Sequence, residues 1–295
     1  MDNNKNIIIH TYSPKCKTVH LAPGLADFLR GTMYIYQESY LNNKSIDLIV
    51  DFSRHPISKF LNIPRKNETI PYKKILKDNH TSEIVECFHK DSYKIKNLVQ
   101  HDSNPPTRVM TFEWYKEFNT SEPLPEYLRS YMQELLDFND DIKEDADYVL
   151  ETQLKMKPND FCVLHLRMGD HMSCQESIPI PPNLETYIET EIIPVWKDKI
   201  VIMSDSFFIK NYLKIKYNLH ATEFLPVHLG STNKFLNSQS DYGTSDTDIG
   251  QTLIEFIMMS KAKQIYLYSV YDWGSGFSYI CSHIYNIPYK RILCP

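Results

Sequence analysis

The sequence predicts an α/β protein built on parallel sheets, and three observations carry that prediction. In the C-terminal half, continuous apolar runs alternate with amphipathic helical stretches, the pattern of a parallel sheet covered on both faces. The N-terminus opens the same way, as strand, loop, helix and strand. At 295 residues, 42% hydrophobic and 23% charged, the chain has room for one large domain or two of about 150 residues.

Ile7 to His10 is a short apolar run suited to a buried strand. Gly24 to Tyr40 follows with Leu25, Phe28, Leu29, Met33 and Tyr36 on one helical stripe, and Ile46 to Val50 gives a second strand ended by Asp51. Between 52 and 119 polarity is mixed, prolines interrupt (Pro56, Pro64, Pro71, Pro105, Pro106) and no long periodic segment emerges, so loops and short helices are expected. From Pro125, Leu128, Met132, Leu135, Phe138, Ile142, Ala146 and Val149 keep three- and four-residue spacing over one long helix or two short ones. The acidic stretch Asp137 to Asp147 within it reads as a solvated face. Beyond Lys157-Pro158 the expected order is strand 161–166, helix 183–196, strand 199–203, helix 206–217, a short strand near 223–229, helix 247–261, strand 264–268 and helix 276–286. That is a Rossmann-like domain. The division expected from these elements is 1–155 and 156–295.

Composition excludes several classes. Disorder, collagen and coiled coil do not fit. With 32 Lys and Arg against 37 Asp and Glu, a net charge of −5 gives no general attraction for a nucleic-acid backbone or an anionic membrane, so no nucleic-acid partner is expected. No stretch approaches the ~20 apolar residues of a membrane span, and Ile7 to Ile9 is too short for the core of a secretion signal. A cytoplasmic location is the expectation. Six cysteines (Cys16, Cys87, Cys162, Cys174, Cys281, Cys294) show no C-x-x-C spacing, so buried free thiols are expected rather than a zinc site or a disulfide framework.

Glycine is the most informative residue. A chain this long would carry about 21 at ordinary usage of about 7%, yet this one has 8. Gly24, Gly31, Gly169, Gly274 and Gly276 fall in three short segments that also hold the most suggestive polar residues. Open parallel sheets bind ligands outside the carboxyl ends of their strands. Those ends read His165-Leu-Arg167-Met-Gly169-Asp170, Ser204-Asp205-Ser206, and Ser269 through Gly274-Ser275-Gly276-Phe277-Ser278.

Arg167, ending an apolar strand, is costly unless its planar fork meets an anion. Ser275-Gly276-Phe277-Ser278 opens a helix directly after a strand, where free amides attract anions and hydroxyls add donors. Together they describe a pyrophosphate clamp. The structural alternative is a plain helix cap plus an Arg167 paired with Asp170 or Glu255. Neither G-x-x-x-x-G-K-[ST] nor G-x-G-x-x-G is present, which removes support from phosphoanhydride cleavage and hydride transfer. Asp205 is either a helix cap or an acceptor for N–H groups of a base or ribose. Trp273, Tyr271 and Asp272 stand beside the clamp and offer stacking or hydrogen bonding to a base or sugar.

In this order, the 165–170, 204–206, 253–262 and 275–278 segments resemble the GDP-fucose-dependent fucosyltransferase superfamily, in particular its protein O-fucosyltransferase and α1,2/α1,6-fucosyltransferase members. Gly24-Leu-Ala-Asp27-Phe-Leu-Arg30-Gly31 looks like that superfamily's N-terminal glycine-rich turn. The resemblance covers roughly 160–290 well, 5–50 loosely and 52–125 not at all. It implies a GT-B-type pair of Rossmann-like domains facing a cleft, the N-terminal one on the acceptor side and the C-terminal one binding the nucleotide sugar. It also implies transfer with inversion and no metal or cofactor, the donor being GDP-fucose or another nucleotide sugar and the acceptor a glycan or protein. Residue by residue, Arg167 would hold the β-phosphate, Ser275 to Ser278 the pyrophosphate and Asp205 the guanine. His165, counted with the nucleotide-binding group, is expected to pack beneath Arg167 or to bond backbone. Asp27, Glu176 and Asp170 remain alternative bases for the acceptor hydroxyl. Met168 departs from the pattern, since many members carry a second arginine there, and the segment between Tyr266 and Ser275 is longer than usual. A different donor sugar, or a non-catalytic nucleotide-sugar or glycan-binding protein, is the alternative reading.

Overall fold

The computed structural model describes residues 6–13, 24–42, 46–62, 70–79, 82–87, 92–100, 106–111, 124–169, 180–224, 226–227, 229 and 245–293. The chain divides into two compact units, Met1–Phe138 with Leu229–Gly243, and Asn139–His228 with Thr244–Pro295.

Unit 1 runs β1 (Asn6–Thr11), α1 (Leu25–Leu41), β2 (Ile46–Asp51), a 3₁₀ turn (Pro56–Phe60), α2 (Ile70–Asp78), β3 (Val85–Glu86), α3 (Ser92–Gln100), β4 (Thr107–Met110) and α4 (Glu126–Leu135). Its sheet is parallel, in the order β2-β1-β4-β3. Ile8, Tyr34, Ile35, Ile95, Val99 and Val109 close one core between the sheet, α1 and α3. Gly31 is what lets α1 lie against the end of β4, since a Cβ there would stand 1.9 Å from the Thr111 carbonyl oxygen. On the same helix Phe28 is sandwiched between His10 and Tyr12, at 4.3 and 4.5 Å, and Tyr12 stacks in turn on His55 at 4.1 Å.

β3 and β4 correct the expectation of loops and short helices between 52 and 119. β4 is concealed in the sequence because its second residue is Arg108, only 1% exposed. The buried charge is tolerated because every branch has a partner. Arg108 pairs with Asp51 and donates to Thr11 Oγ1 at 2.7 Å, to the Asn79 carbonyl at 2.5 Å and to the Leu76 carbonyl at 3.4 Å. The guanidinium thereby ties β1, β2 and β4 to the carboxyl end of α2.

Unit 2 begins with α5 (Asp140–Asp147), which runs into a π-helical turn (Tyr148–Gln153). Then come β5 (Cys162–Arg167), α6 in three pieces (Pro182–Tyr187, Ile188–Ile192, Ile193–Trp196), β6 (Ile200–Ser204), α7 (Phe207–Tyr217) and β7 (His220–Ala221). The unit closes with α8 (Asp246–Ser260), β8 (Gln264–Ser269), α9 (Gly276–Tyr285) and β9 (Tyr289–Ile292). All five strands are parallel, in the order β7-β6-β5-β8-β9. Cys162, Leu164 and Leu166 pack with Leu184, Ile188, Ile209 and Leu213 of α6 and α7 on one face. α8, with ten of its residues buried, and α9 cover the other, joined by the Phe256–Phe277 edge contact at 5.1 Å. α7 and α9 each end on an asparagine in the left-handed region, Asn218 (φ 52°) and Asn286 (φ 54°). In this glycine-poor chain asparagine takes the terminating place that glycine usually fills.

Three details differ from the sequence expectation. The contact division falls at 138/139 rather than 155, because α5 packs on α8 and Asp147 pairs with Lys261; the segment from Leu229 returns to unit 1, its carbonyl accepting from Tyr12 Oη at 2.9 Å and His55 Nε2 at 3.0 Å. The short strand lies at His220–Ala221, not 223–229, since the later backbone is taken by side chains: Lys210 Nζ binds the Phe224 carbonyl, and Val227 N donates to Thr252 Oγ1 at 2.9 Å. β9 was not expected at all. Cys87, Cys162 and Cys281 are buried free thiols; the other three cysteines lie outside the described residues. No helix among those residues is long and apolar enough to cross a membrane.

Candidate functional site

In unit 2 the chain leaves β5 toward β6 on one side and returns through β8 on the other, so the order reverses between β5 and β8. A crevice outside the carboxyl ends of those two strands is where such sheets take a ligand. Arg167, the last residue of β5, is in register with Ser269, the last of β8. Because Cys162, Leu164 and Leu166 face α6 and α7, the alternating His165 and Arg167 face the side covered by α8 and α9. The ring of Phe277 lies 6.2 Å from that of His165.

Arg167 and Asp205, expected to bind phosphate and base, are paired with each other. Arg167 Nη1 donates to Asp205 Oδ2 at 2.5 Å, with side-chain exposures of 17% and 12%. Asp205 Oδ1 accepts from Met168 N at 2.7 Å and Oδ2 from Gly169 N at 3.2 Å. Burial pushes the Asp205 carboxyl up, and Arg167 with the two amides pulls it back. The carboxylate is thus a bracket around the turn that follows β5, and three of its about four acceptor positions are used. The cap of α7 is not Asp205 but Ser206, which accepts from Ile209 N at 3.4 Å. Ser204 Oγ donates to the Leu166 carbonyl at 2.9 Å and accepts from Ser206 N at 3.0 Å, locking β6 to β5. Met168 is 1% exposed and belongs to the apolar core under α6 and α7, so it contributes packing where the resemblance would place charge.

His165 is buried, and burial, then the Arg167 charge, push its imidazole down to about 3. Its Nδ1 is buried without a hydrogen-bond partner among the described residues. Glu255, one alternative partner for Arg167, is instead engaged with Lys210 at 3.8 Å and with Thr222. Burial lifts its carboxyl to about 7 against the pull of Lys210.

On the β8 side the turn between Ser269 and Ser275 is tightly held. Val270 N donates to the Arg167 carbonyl at 3.0 Å and Tyr271 N to Ser269 Oγ at 3.1 Å. The Tyr271 carbonyl accepts from Gly274 N at 2.9 Å and from Arg291 Nη2 at 2.7 Å. Gly274 has φ +82°, and a Cβ there would meet Leu267 at 3.2 Å. α9 then starts at Ser275, whose side chain makes no cap bond, while Tyr279 N takes the Ser275 carbonyl at 3.2 Å. The amides of Gly276, Phe277 and Ser278 therefore precede the helical ladder and remain as donors. Ser275 is 6% exposed and Ser278 0%, so the expected clamp rests on backbone amides more than on hydroxyls.

Asp27, in the first turn of α1 in unit 1, pairs with Arg30 one turn on. Asp170 and Glu176 lie outside the described residues. Sequence reasoning missed Arg291, which braces the turn between β8 and α9 from β9, and Lys210, which holds the segment after β7. The Arg291 signal was a Lys290-Arg291 pair near the end of the sequence; for Lys210, inside a basic helix, there was none.

No protein-family model matches the chain, and no curated protein matches it in sequence. Solved structures do. Fucosyltransferase NodZ from Bradyrhizobium is similar with a TM-score of 0.51 at 9% identity, over 93% of this chain and 90% of that one. A variant of FUT1 from Arabidopsis thaliana, solved in complex with GDP, is similar with a TM-score of 0.50 at 12% identity, over 100% of this chain and 72% of that one. The α/β fold with parallel, Rossmann-like sheets is therefore shared with these two enzymes.

Proposed function

We propose that this protein is a glycosyltransferase that moves a sugar, fucose from GDP-fucose in the first place, to a hydroxyl of an acceptor with inversion at the anomeric carbon and without a metal. The observation that carries the reading is the place of Arg167, in register with Ser269 at the β5/β8 reversal, on the strand beside the one that leads into the uncapped amino end of α9, in a fold that two fucosyltransferases share, one of them solved with GDP. The acceptor oxygen attacks the anomeric carbon, the bond to the β-phosphate oxygen breaks, and the nucleoside diphosphate leaves with the electron pair. Arg167 and the amides of Gly276 to Ser278 meet the charge that develops on it, in place of a metal. The acceptor proton goes to a carboxylate, for which Asp27, Asp170 and Glu176 are the candidates. Asp205 aims Arg167 and keeps about one acceptor position for the base.

The test is thermal denaturation with GDP, UDP and ADP, followed by transfer assays with GDP-fucose. A ligand that binds only the folded state raises its stability, so stabilisation by GDP above the other two is expected. Arg167→Ala should lose at least about a hundredfold in turnover, the scale of one lost oxyanion donor; wild-type turnover in that variant removes Arg167 from the reaction. The buried Met168 and the Arg167–Asp205 pair favour one second reading, a nucleotide-sugar-binding protein without transfer. It predicts GDP binding with neither transfer nor donor hydrolysis.

A further inference from the structure

Beside the diphosphate amides stands an aromatic surface that the transfer step leaves unused. Trp273 is 79% exposed. A solitary exposed apolar residue needs no explanation, but this one is held in place. Its indole stacks on Tyr271 at 4.7 Å and 14°. Tyr271 is fixed in turn on three sides. Arg167 Cζ lies 5.8 Å from its ring centroid. Its hydroxyl lies over Gly169, which sits at φ +102° and where a Cβ would stand 3.1 Å from it, tighter than ordinary contact. Its carbonyl is bound by Arg291 and Gly274. One indole face is thus occupied and the other is presented to solvent in a fixed plane, next to the site where a sugar would leave the diphosphate.

An aromatic face carries partial negative charge, and the C–H groups on one side of a pyranose ring, polarised by neighbouring oxygens, are its complement. A nucleobase would also stack, but one observation weighs against it. Small-molecule pockets bury 70–90% of their ligand, and a residue 79% exposed cannot wall such a pocket, whereas it can receive a chain arriving from solvent.

We propose that Trp273, presented by Tyr271, is the platform for a pyranose ring of the acceptor, so that the acceptor is a glycan rather than a protein side chain. The assignment rests on the glycosyltransferase reading above. It is tested by calorimetric titration of chitotriose, cellotriose, maltotriose and lactose into the GDP-loaded protein, its Trp273→Ala variant and its Trp273→Phe variant. At least one sugar should bind the parent chain. Trp273→Ala should weaken that binding tenfold or more, Trp273→Phe should keep most of it, and the Kd for GDP should stay within twofold in both. The assignment is overturned when none of the four sugars binds, when Trp273→Ala leaves sugar binding intact, or when GDP binding falls with it, which would give the rings to the base. Failure of the parent chain to bind GDP at all defeats the glycosyltransferase reading itself and this one with it.

Discussion

Arg167 and Asp205 illustrate how a single pair can be read two ways. A guanidinium expected to meet phosphate already holds a carboxylate at 2.5 Å, and that carboxylate also binds two amides. The pairing costs less than it would with lone partners, because hydrogen bonds replace the lost water on both sides. It also fixes the direction of the guanidinium before a ligand arrives, which is what electrostatic catalysis requires. Asp205→Asn keeps an oxygen for the Met168 or Gly169 amide but removes the charge that aims Arg167. We expect it to weaken UDP and ADP by a common factor of roughly ten, measured by titration calorimetry, about 1.4 kcal/mol, and GDP by more, because the contact to its base goes as well. A loss confined to GDP would transfer Asp205 from orienting Arg167 to reading the base.

Among the elements, the segment after β7 shows how a buried charge can replace a strand. Lys210 of α7 is 0% exposed and Glu255 of α8 is 2%, and with Thr222 they pin the backbone that would otherwise pair as a longer β7. Breaking such a pair leaves a buried charge alone, whereas replacing both partners by apolar groups is often neutral. Lys210→Met should therefore cost about 3–5 kcal/mol in urea denaturation, and the double variant Lys210→Met/Glu255→Leu should recover most of it. A double variant as damaging as the two single losses added would show that the two side chains are not coupled and that the cost of Lys210→Met is not that of a stranded Glu255. The same interactions explain what could be read from sequence. β5, β6 and β8 are runs of buried aliphatics and were legible, as were the three strand ends that carry Arg167, Asp205 and Ser275. β9, Tyr-Lys-Arg-Ile, and β4, Thr-Arg-Val-Met, were not, because each carries an arginine whose long-range partners, Tyr271 in one case and Asp51 in the other, lie far away in sequence. Side-chain direction was equally hidden: nothing local tells that Ser278 turns into the core or that Met168 is enclosed.

At the scale of the whole molecule, both units keep buried imidazoles neutral, and this sets the response to acid. In unit 1, burial pushes His10 down to about 3 and His55 down to about 4, each against a weaker opposing hydrogen bond. In unit 2, His165 is pushed down to about 3 and His283 is lowered in the same direction, by burial in both cases. The unfolded chain takes protons on these rings near pH 6.5. Above that pH neither state is charged and the full stability is present. Below it the unfolded state binds protons that the folded state refuses, so stability falls as pH drops toward the folded values, by about 1.4 kcal/mol per unit for each ring. His55 is the ring best suited to a test. Its Nδ1 accepts from Ile57 N at 3.1 Å, so Nε2 carries the hydrogen that reaches the Leu229 carbonyl at 3.0 Å, and a proton on Nδ1 would cost the first of these bonds. Glutamine can supply one donor and one acceptor without titrating. Urea denaturation at pH 7, 6 and 5 should show stability declining throughout the range while carboxylates such as Asp51, held below their usual value chiefly by Ser53 and Arg108 against burial, are still ionised. His55→Gln should reduce that slope by about one proton's worth, about 1.4 kcal/mol per pH unit. A slope unchanged by the substitution would mean that unit 1 opens around His55 before the ring is forced to accept its proton.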